Sequence, residues 1–173
     1  MNVLEAIRER HSIRSFTDET VSRETLRDLT ECAVLAPTAS NVQCWKFIAV
    51  TDPDFVRKIT LFSPGMSGKP PVILALCTDQ SIAESRLGET NSRELATIDV
   101  SLAAENIMLR AVEQGLGTCA IKSFNEEAVR AILGLPSHIR LEYLLALGYP
   151  AGPGKSPARK AIEEVLYYDT YKE

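Results

Sequence analysis

Histidine is almost missing from this chain, which contains only His11 and His138, and its four cysteines, Cys32, Cys44, Cys77 and Cys119, include no Cys-x-x-Cys pair. That scarcity argues against a histidine-rich metal site, a structural zinc site and a thioredoxin-like thiol pair. The cysteines all lie in or beside apolar stretches, where a free thiol packs as a small hydrophobe. An excess of basic charge is missing too. The formal net charge is -4, which provides no global electrostatic drive towards nucleic acid. No apolar run approaches the roughly 18 residues of a membrane span. The first residues, Met1 to Arg8, are amphipathic and include an acid. A secretory leader has a basic start and an unbroken apolar stretch, so the expected location is the cytoplasm, with no membrane or nucleic-acid partner. Repeats, low-complexity runs and interior linkers are absent, as are Gly-x-Ser-x-Gly, His-Glu-x-x-His and Walker sequences.

What remains is the composition of an ordinary globular domain. The chain has 173 residues, 45% of them hydrophobic and 24% charged, so one domain with a sizeable core is expected over residues 1–173. Val3, Leu4 and Ile7 recur at helical spacing within residues 2–9, with Glu5, Arg8 and Glu9 outward. Ser22 caps a second expected helix whose stripe is Leu26, Leu29, Ala33 and Val34, ended by Pro37. Trp45 to Val50 reads as a strand, Asp52-Pro53 starts a short helix, and Pro71 to Cys77 reads as a buried strand. Residues 79–94 are polar and patternless, and are expected to form a loop or short helix over a site.

The longest helix is expected from Leu95 to Glu113. Leu102, Asn106, Leu109 and Val112 line one face, Ala103, Ala104 and Ile107 widen it, and Gly115 stops it. Thr118 to Ile121 reads as a short strand, Asn125 caps a helix ending near Gly134, and Leu141 to Leu147 reads as another strand. Residues 150–173 are rich in Pro, Gly and Lys, with some β-character at Val165 to Tyr168, and cannot form a core of their own. Helices and strands mix without strict βαβ alternation, which favours a layered α+β domain.

Four clusters carry candidate chemistry. In Arg10-His11-Ser12-Ile13-Arg14, an extended backbone puts Arg10, Ser12 and Arg14 on one side. Such a donor set suits an anion such as phosphate, and the planar fork of Arg suits it best. In Ala36-Pro37-Thr38-Ala39-Ser40-Asn41-Val42-Gln43-Cys44-Trp45, small residues allow close backbone approach to a ligand, and Thr38, Ser40, Asn41 and Gln43 offer groups for a polyol. Gln114-Gly115-Leu116-Gly117-Thr118-Cys119-Ala120-Ile121-Lys122-Ser123 runs from helix to strand, the reverse of a dinucleotide fingerprint. Its glycines read as a helix cap and a tight turn. The fourth cluster, Lys155 to Val165, adds Lys155, Arg159 and Lys160 in the tail.

In this order the clusters resemble the nitroreductase superfamily of flavoproteins over nearly the whole chain. The resemblance runs from Arg10–Arg14, through Pro37–Trp45 and Gly115–Cys119, to Pro157-Ala158-Arg159-Lys160 followed by Glu163-Glu164-Val165. It implies a three-layer α+β fold, a central mixed, mostly antiparallel sheet flanked by helices. It also implies a homodimer that exchanges its C-terminal arm and holds two FMN sites at the interface.

Arg10, Ser12 and Arg159 would hold the phosphate, with His11 beside them, and Arg14 would sit near the pyrimidine edge. Thr38, Ala39 and Asn41, with Pro37 and Gln43 in the same loop, would reach the ribityl chain and phosphate from the other subunit. Ala120, Ile121, Lys122 and Ser123 would line the isoalloxazine, with a backbone N–H near N5. The chain departs from the family pattern at Cys44, where Pro is common, and at Lys122 and Ser123, where small residues are common.

The physical logic agrees with the resemblance. A dianionic phosphate on an acidic protein needs a local Arg cluster, and a cation near N1 and O2 favours the reduced ring. The implied activity passes electrons from NADH or NADPH through FMN to an electron-poor small-molecule acceptor, a nitro compound or quinone. Flavin storage or sensing without turnover, and dehalogenation or dehydrogenation on the same scaffold, stay open at this point. The flavin carries the chemistry, so no catalytic side chain is assigned.

Overall fold

The order of elements in the computed structural model, which describes residues 1–171, is α1 (Val3–Glu9), α2 (Arg23–Ala33), β1 (Trp45–Val50), α3 (Pro53–Leu61), β2 (Val72–Asp79), α4 (Gln80–Leu87), α5 (Ser92–Glu113), β3 (Gly117–Ile121), α6 (Glu126–Leu133) and β4 (Ile139–Gly148). The strands form one four-stranded sheet in the order β1-β2-β4-β3, with every neighbouring pair antiparallel. Among the described residues, the one parallel contact is an isolated bridge from Ser12 to Thr118 at the β3 edge.

β2 explains the layering. All eight of its residues are buried, and successive side chains of a strand point to opposite faces. Val72, Leu74 and Leu76 meet Leu29 of α2 and Val100, Ala103 and Ile107 of α5 on one side. Ile73, Ala75 and Cys77 meet Val56 and Ile59 of α3 and Val129 of α6 on the other. A continuous apolar run is what a strand covered on both faces requires. The three-layer α+β expectation therefore holds.

Caps set the helix boundaries. Asn2 and Glu5 form a reciprocal capping box on α1, and Ser22, Asp52 and Asn125 accept N–H bonds at the starts of α2, α3 and α6. Gly134 ends α6 in the left-handed conformation, where glycine carries no Cβ penalty.

Several expectations are refined or corrected. Residues 79–94 take the short-helix alternative: they hold α4 and, after a turn at 88–91, the start of α5. Asp79 starts α4 by accepting from the N–H groups of Ser81 and Ile82. The apolar stripe of α1 does not face its own core, since Val3, Leu4 and Ile7 are exposed and only Ala6 is buried. Leu102 on α5 and Val34 after α2 are exposed as well. The inward face of α5 sets Val100 and Ile107 among Ala96, Ala103, Ala104 and Ala111, and the alanines let the helix lie close on the sheet.

The tail carries a single 3-10 turn at Ile162–Glu164 and no strand at Val165 to Tyr168. A β-prone segment forms a strand only with a neighbour to pair with, and residues 151–171 are exposed throughout. The last two residues of the expected arm lie outside the described residues. No helix among the described residues is long and apolar enough to cross a membrane.

Candidate functional site

The Arg10–Arg14 segment runs alongside the outer edge of β3. Ser12 bridges Thr118, and the Ile13 N–H donates to the Thr118 carbonyl at 2.9 Å. Ile13 is buried while Arg14 is exposed and Arg10 half-buried. This is the alternation the sequence predicts, with Arg10, Ser12 and Arg14 on the side away from Ile13. Arg10 Nε lies 3.5 Å from Glu105 on α5, a loose contact in which the guanidinium keeps other donors for an anion. Thr118 Oγ1 is buried without a hydrogen-bond partner among the described residues.

His11 is turned differently. Its Nδ1 lies 2.6 Å from the Glu9 carbonyl and its Nε2 lies 2.9 Å from the Pro153 carbonyl. With the Ala151 N–H bonded to Ser15 and the Thr17 N–H bonded to Tyr149, this contact ties the root of the C-terminal arm to the same segment. Arg159 lies on the exposed arm beyond that root.

Gly68 braces the other end of the segment. Its φ is +96°, and a Cβ there would lie 2.3 Å from the Arg14 carbonyl oxygen. Only glycine allows this approach. Nearby, the Gly65 N–H donates to Ser123 at 3.0 Å, so the loop after α3 touches both Arg14 and the end of β3. Ala120, Lys122 and Ser123 are exposed and Ile121 is buried.

The Pro37–Gln43 loop is built elsewhere. Ser40, Asn41 and Gln43 all have positive φ, at 49°, 54° and 52°, a conformation rare for residues with a side chain. Asn41 Oδ1 accepts from Gln43 Nε2 at 3.0 Å, and Thr38 Oγ1 accepts from the Gln43 N–H at 3.3 Å. The Ala39 N–H donates to both oxygens of Asp99 on α5, each at 3.1 Å. Asp99 is buried, and burial pushes its carboxyl above the usual range, with the Ala39 N–H opposing that rise. Sequence reasoning missed Asp99, Glu105 and Gly68. The only signal for Asp99 was an acid inside the apolar stripe of a long helix.

Cys32, Cys44 and Cys77 do not join this chemistry. Burial raises Cys32 and Cys44, and pushes Cys77 to about 12. A protonated thiol is a poor nucleophile.

A family model for nitroreductases matches residues 7–63 and 61–149. The chain belongs to the nitroreductase family. The matched span contains Arg10–Arg14, Pro37–Gln43 and Ala120–Ser123 and ends before Arg159. An FMN reductase (NADPH) of Bacillus subtilis is 32% identical over 98% of this chain and 74% of its own length. An NADH dehydrogenase of Thermus thermophilus is 31% identical over 92% of each. The NfrA1 nitroreductase of B. subtilis superposes with a TM-score of 0.89 at 30% identity, covering 99% of this chain and 75% of that structure.

Within this chain the two ligand-type clusters sit apart. Arg10–Arg14 flanks β3 and the Pro37–Gln43 loop leads into β1, and these strands are opposite edges of the sheet. Three strand spacings separate them, about 14 Å. They also lie at opposite ends, because Thr118 is level with Leu147 and Val72 whereas Trp45 is level with Thr78.

Proposed function

We propose that the chain is a homodimeric FMN-dependent oxidoreductase that passes two electrons from NADH or NADPH to an electron-poor small molecule such as a nitro compound or a quinone. The observation that carries this reading is the line of ligand-type groups along one sheet edge. Arg10, Ser12 and Arg14 run beside β3, and Ala120–Ser123 continue the same edge. The relatives named for FMN reduction and NADH oxidation support it.

The residues present fit FMN. The donor set of Arg10 and Ser12 matches a phosphate, and the unpartnered Thr118 hydroxyl marks a place where a polar ligand group would be satisfied. When bound, FMN supplies the acceptance and return of a hydride equivalent. The chain's own part is to bind and orient. Arg10, Ser12 and Arg159 would hold the phosphate, and Arg14 would place positive charge at the pyrimidine side. Ala120, Ile121, Lys122 and Ser123 would line the ring, and His11 would fix the arm that carries Arg159. Pro37, Thr38, Ala39, Asn41 and Gln43 would reach the ligand from the second subunit, since the sheet keeps them far from Arg10 in their own chain.

Mass spectrometry of the heat-released chromophore is expected to return FMN, and NAD(P)H is expected to bleach the bound flavin, with a quinone or nitroarene restoring its colour. Arg10→Ala should weaken FMN by about 1.5–3 kcal/mol, the worth of a charge-assisted bond, and leave riboflavin affinity nearly unchanged. Recovery of FAD or haem, or flavin that NAD(P)H fails to bleach, would overturn the reading.

A further inference from the structure

A β-bulge changes what the start of β4 presents. Leu76 pairs with Tyr143 and Cys77 with Leu141, so Glu142 is an extra residue. Leu141 and Leu144 both enter the core layer beneath α3 and α6, which leaves Glu142 and Tyr143 directed to the α5 side. Bulges re-aim side chains in this way, often beside active sites. Glu142 is 1% exposed. Its Oε1 accepts from Thr78 at 2.6 Å and from Arg140 at 3.1 Å, and its Oε2 accepts from Thr97 of α5 at 3.1 Å. Lys122 Nζ donates to the Glu142 backbone carbonyl and lies 5.7 Å from the centroid of the Phe124 ring.

Thr97, Lys122, Arg140 and Glu142 border a cleft of about 330 Å³ between α5 and the ends of β3 and β4, with Ser101, Ala120 and Tyr143 also on its walls. That is the lower end of the range for small-molecule sites. The Glu142 carboxylate is already paired with Arg140. Lys122 has no carboxylate partner among the described residues, so the cleft keeps one uncompensated positive charge. It is also distinct from the phosphate cluster, because Lys122 lies four residues along the strand direction from Thr118, about 13 Å.

We propose that this cleft is a subsite for a single anionic group, and that Lys122 selects electron acceptors carrying a carboxylate. The proposal rests on the flavin reading above, which puts Ala120–Ser123 against the ring and so puts the cleft beside the reacting centre. An aromatic acid fits it: Tyr143 and Ala120 offer apolar wall, and Lys122 receives the charge at the end.

The test compares 4-nitrobenzoate with 4-nitrobenzamide, which share a reducible group and differ by one charge. In the FMN-loaded protein the KM for nitrobenzoate should be at least tenfold the lower. Lys122→Gln should collapse that ratio towards one, Lys122→Glu should invert it, and Lys122→Arg should keep it. The ratio is internally controlled against any change in flavin binding. In a second readout without turnover, benzoate titrated into the 15N-labelled protein should shift the amide signals of Thr97 and Ala120–Lys122, and Lys122→Gln should abolish those shifts.

Equal KM values in the unmodified protein, a ratio unmoved by Lys122→Gln, or benzoate shifts elsewhere would overturn the subsite. A Lys122→Gln effect confined to the KM for NAD(P)H would assign the anion to the donor's phosphates, and would equally overturn an acceptor role. Failure to bind FMN or oxidise NAD(P)H would instead defeat the flavin reading, and the benzoate titration would still decide the subsite.

Discussion

Glu142 depends on its neighbours because water does not reach it. Removing Arg140 would leave a buried carboxylate with hydroxyl donors and no cation, and breaking a buried ion pair from one side is strongly destabilising. Arg140→Ala should therefore cost about 3 kcal/mol in urea unfolding at neutral pH. Glu142→Gln should cost less, and the double substitution should recover a large part of the Arg140→Ala loss. If the double variant is no more stable than Arg140→Ala alone, the pair is not coupled as its geometry implies.

Gly68 is the other residue whose replacement has a sharp expected outcome. A Cβ at φ +96° would meet the Arg14 carbonyl at 2.3 Å, so Gly68→Ala must push the Arg14 backbone or the loop itself. Arg14 is assigned to the ring and not to the phosphate. FMN and riboflavin should thus lose affinity together, in contrast to Arg10→Ala. Flavin titrations of the two variants, with circular dichroism to confirm folding, separate these cases.

Helix α4 rests on its N-cap, Asp79. Its inward face is thin, with only Ala83 fully buried, so the cap carries an unusual share of its stability. Burial by itself would push the Asp79 carboxyl up, but Ser81 Oγ and the Ile82 N–H outweigh it and hold the group below its usual range. The folded value is depressed, so its stabilisation is present above the unfolded carboxyl range, near pH 3.9, and is lost as pH falls through the lower folded value. Asp79→Ala should cost about 0.5–2 kcal/mol at pH 7. The gap between variant and parent in thermal melts should narrow on acidification below pH 4. A gap unchanged at pH 3 would show that the charged cap is not the source.

That thin face also explains why the sequence left residues 79–94 open between a loop and a short helix. The apolar residues of α4 make no stripe, and the useful signal was Asp79 followed by Ser81, a cap and not a periodicity. Elements with a strong pattern were legible: the doubly buried run of β2, the stripe of α2, the stops at Gly115 and Gly134. What the pattern of α1 and α5 did not reveal is which surface the apolar residues meet. Val3, Leu4, Ile7, Ile98 and Leu102 have the spacing of a covered face and are exposed in the chain. Periodicity reports that a face is apolar, not that its own chain covers it. The same holds at the proposed site, where Arg10–Arg14 and Pro37–Gln43 read as ligand-type clusters from their residue types alone. Asp99 and Glu105, which position them, lay inside a helix whose pattern asked for nothing but packing.

At the scale of the molecule, the uncovered apolar residues of α1 and α5 join an arm that exposes Ile162, Val165, Leu166 and Tyr168. Apolar surface on this scale marks an interaction site, and a twofold homodimer would use it. The separation of the two ligand clusters points the same way. Ala39 is bonded to Asp99 and Arg10 is paired with Glu105, positions about 9 Å apart along α5 and roughly 120° apart around it. One chain thus presents the two clusters in different directions, as the proposed two-subunit flavin site requires.

Arg10→Ala and Asn41→Ala chains should each bind FMN weakly as homodimers, because both sites of each are damaged. In the heterodimer, one site collects the altered Arg10 position and the altered Asn41 position, and the other has the natural residue at both. After subunit exchange, FMN titration should show tight binding at about half of the heterodimer's sites, the fraction the twofold symmetry dictates. If heterodimers form, as native mass spectrometry would show, and no tight site returns, each chain builds its flavin site alone. The cross-subunit reading of the Pro37–Gln43 loop would then be wrong, while the assignment of Arg10 to the phosphate would stand on its own titration.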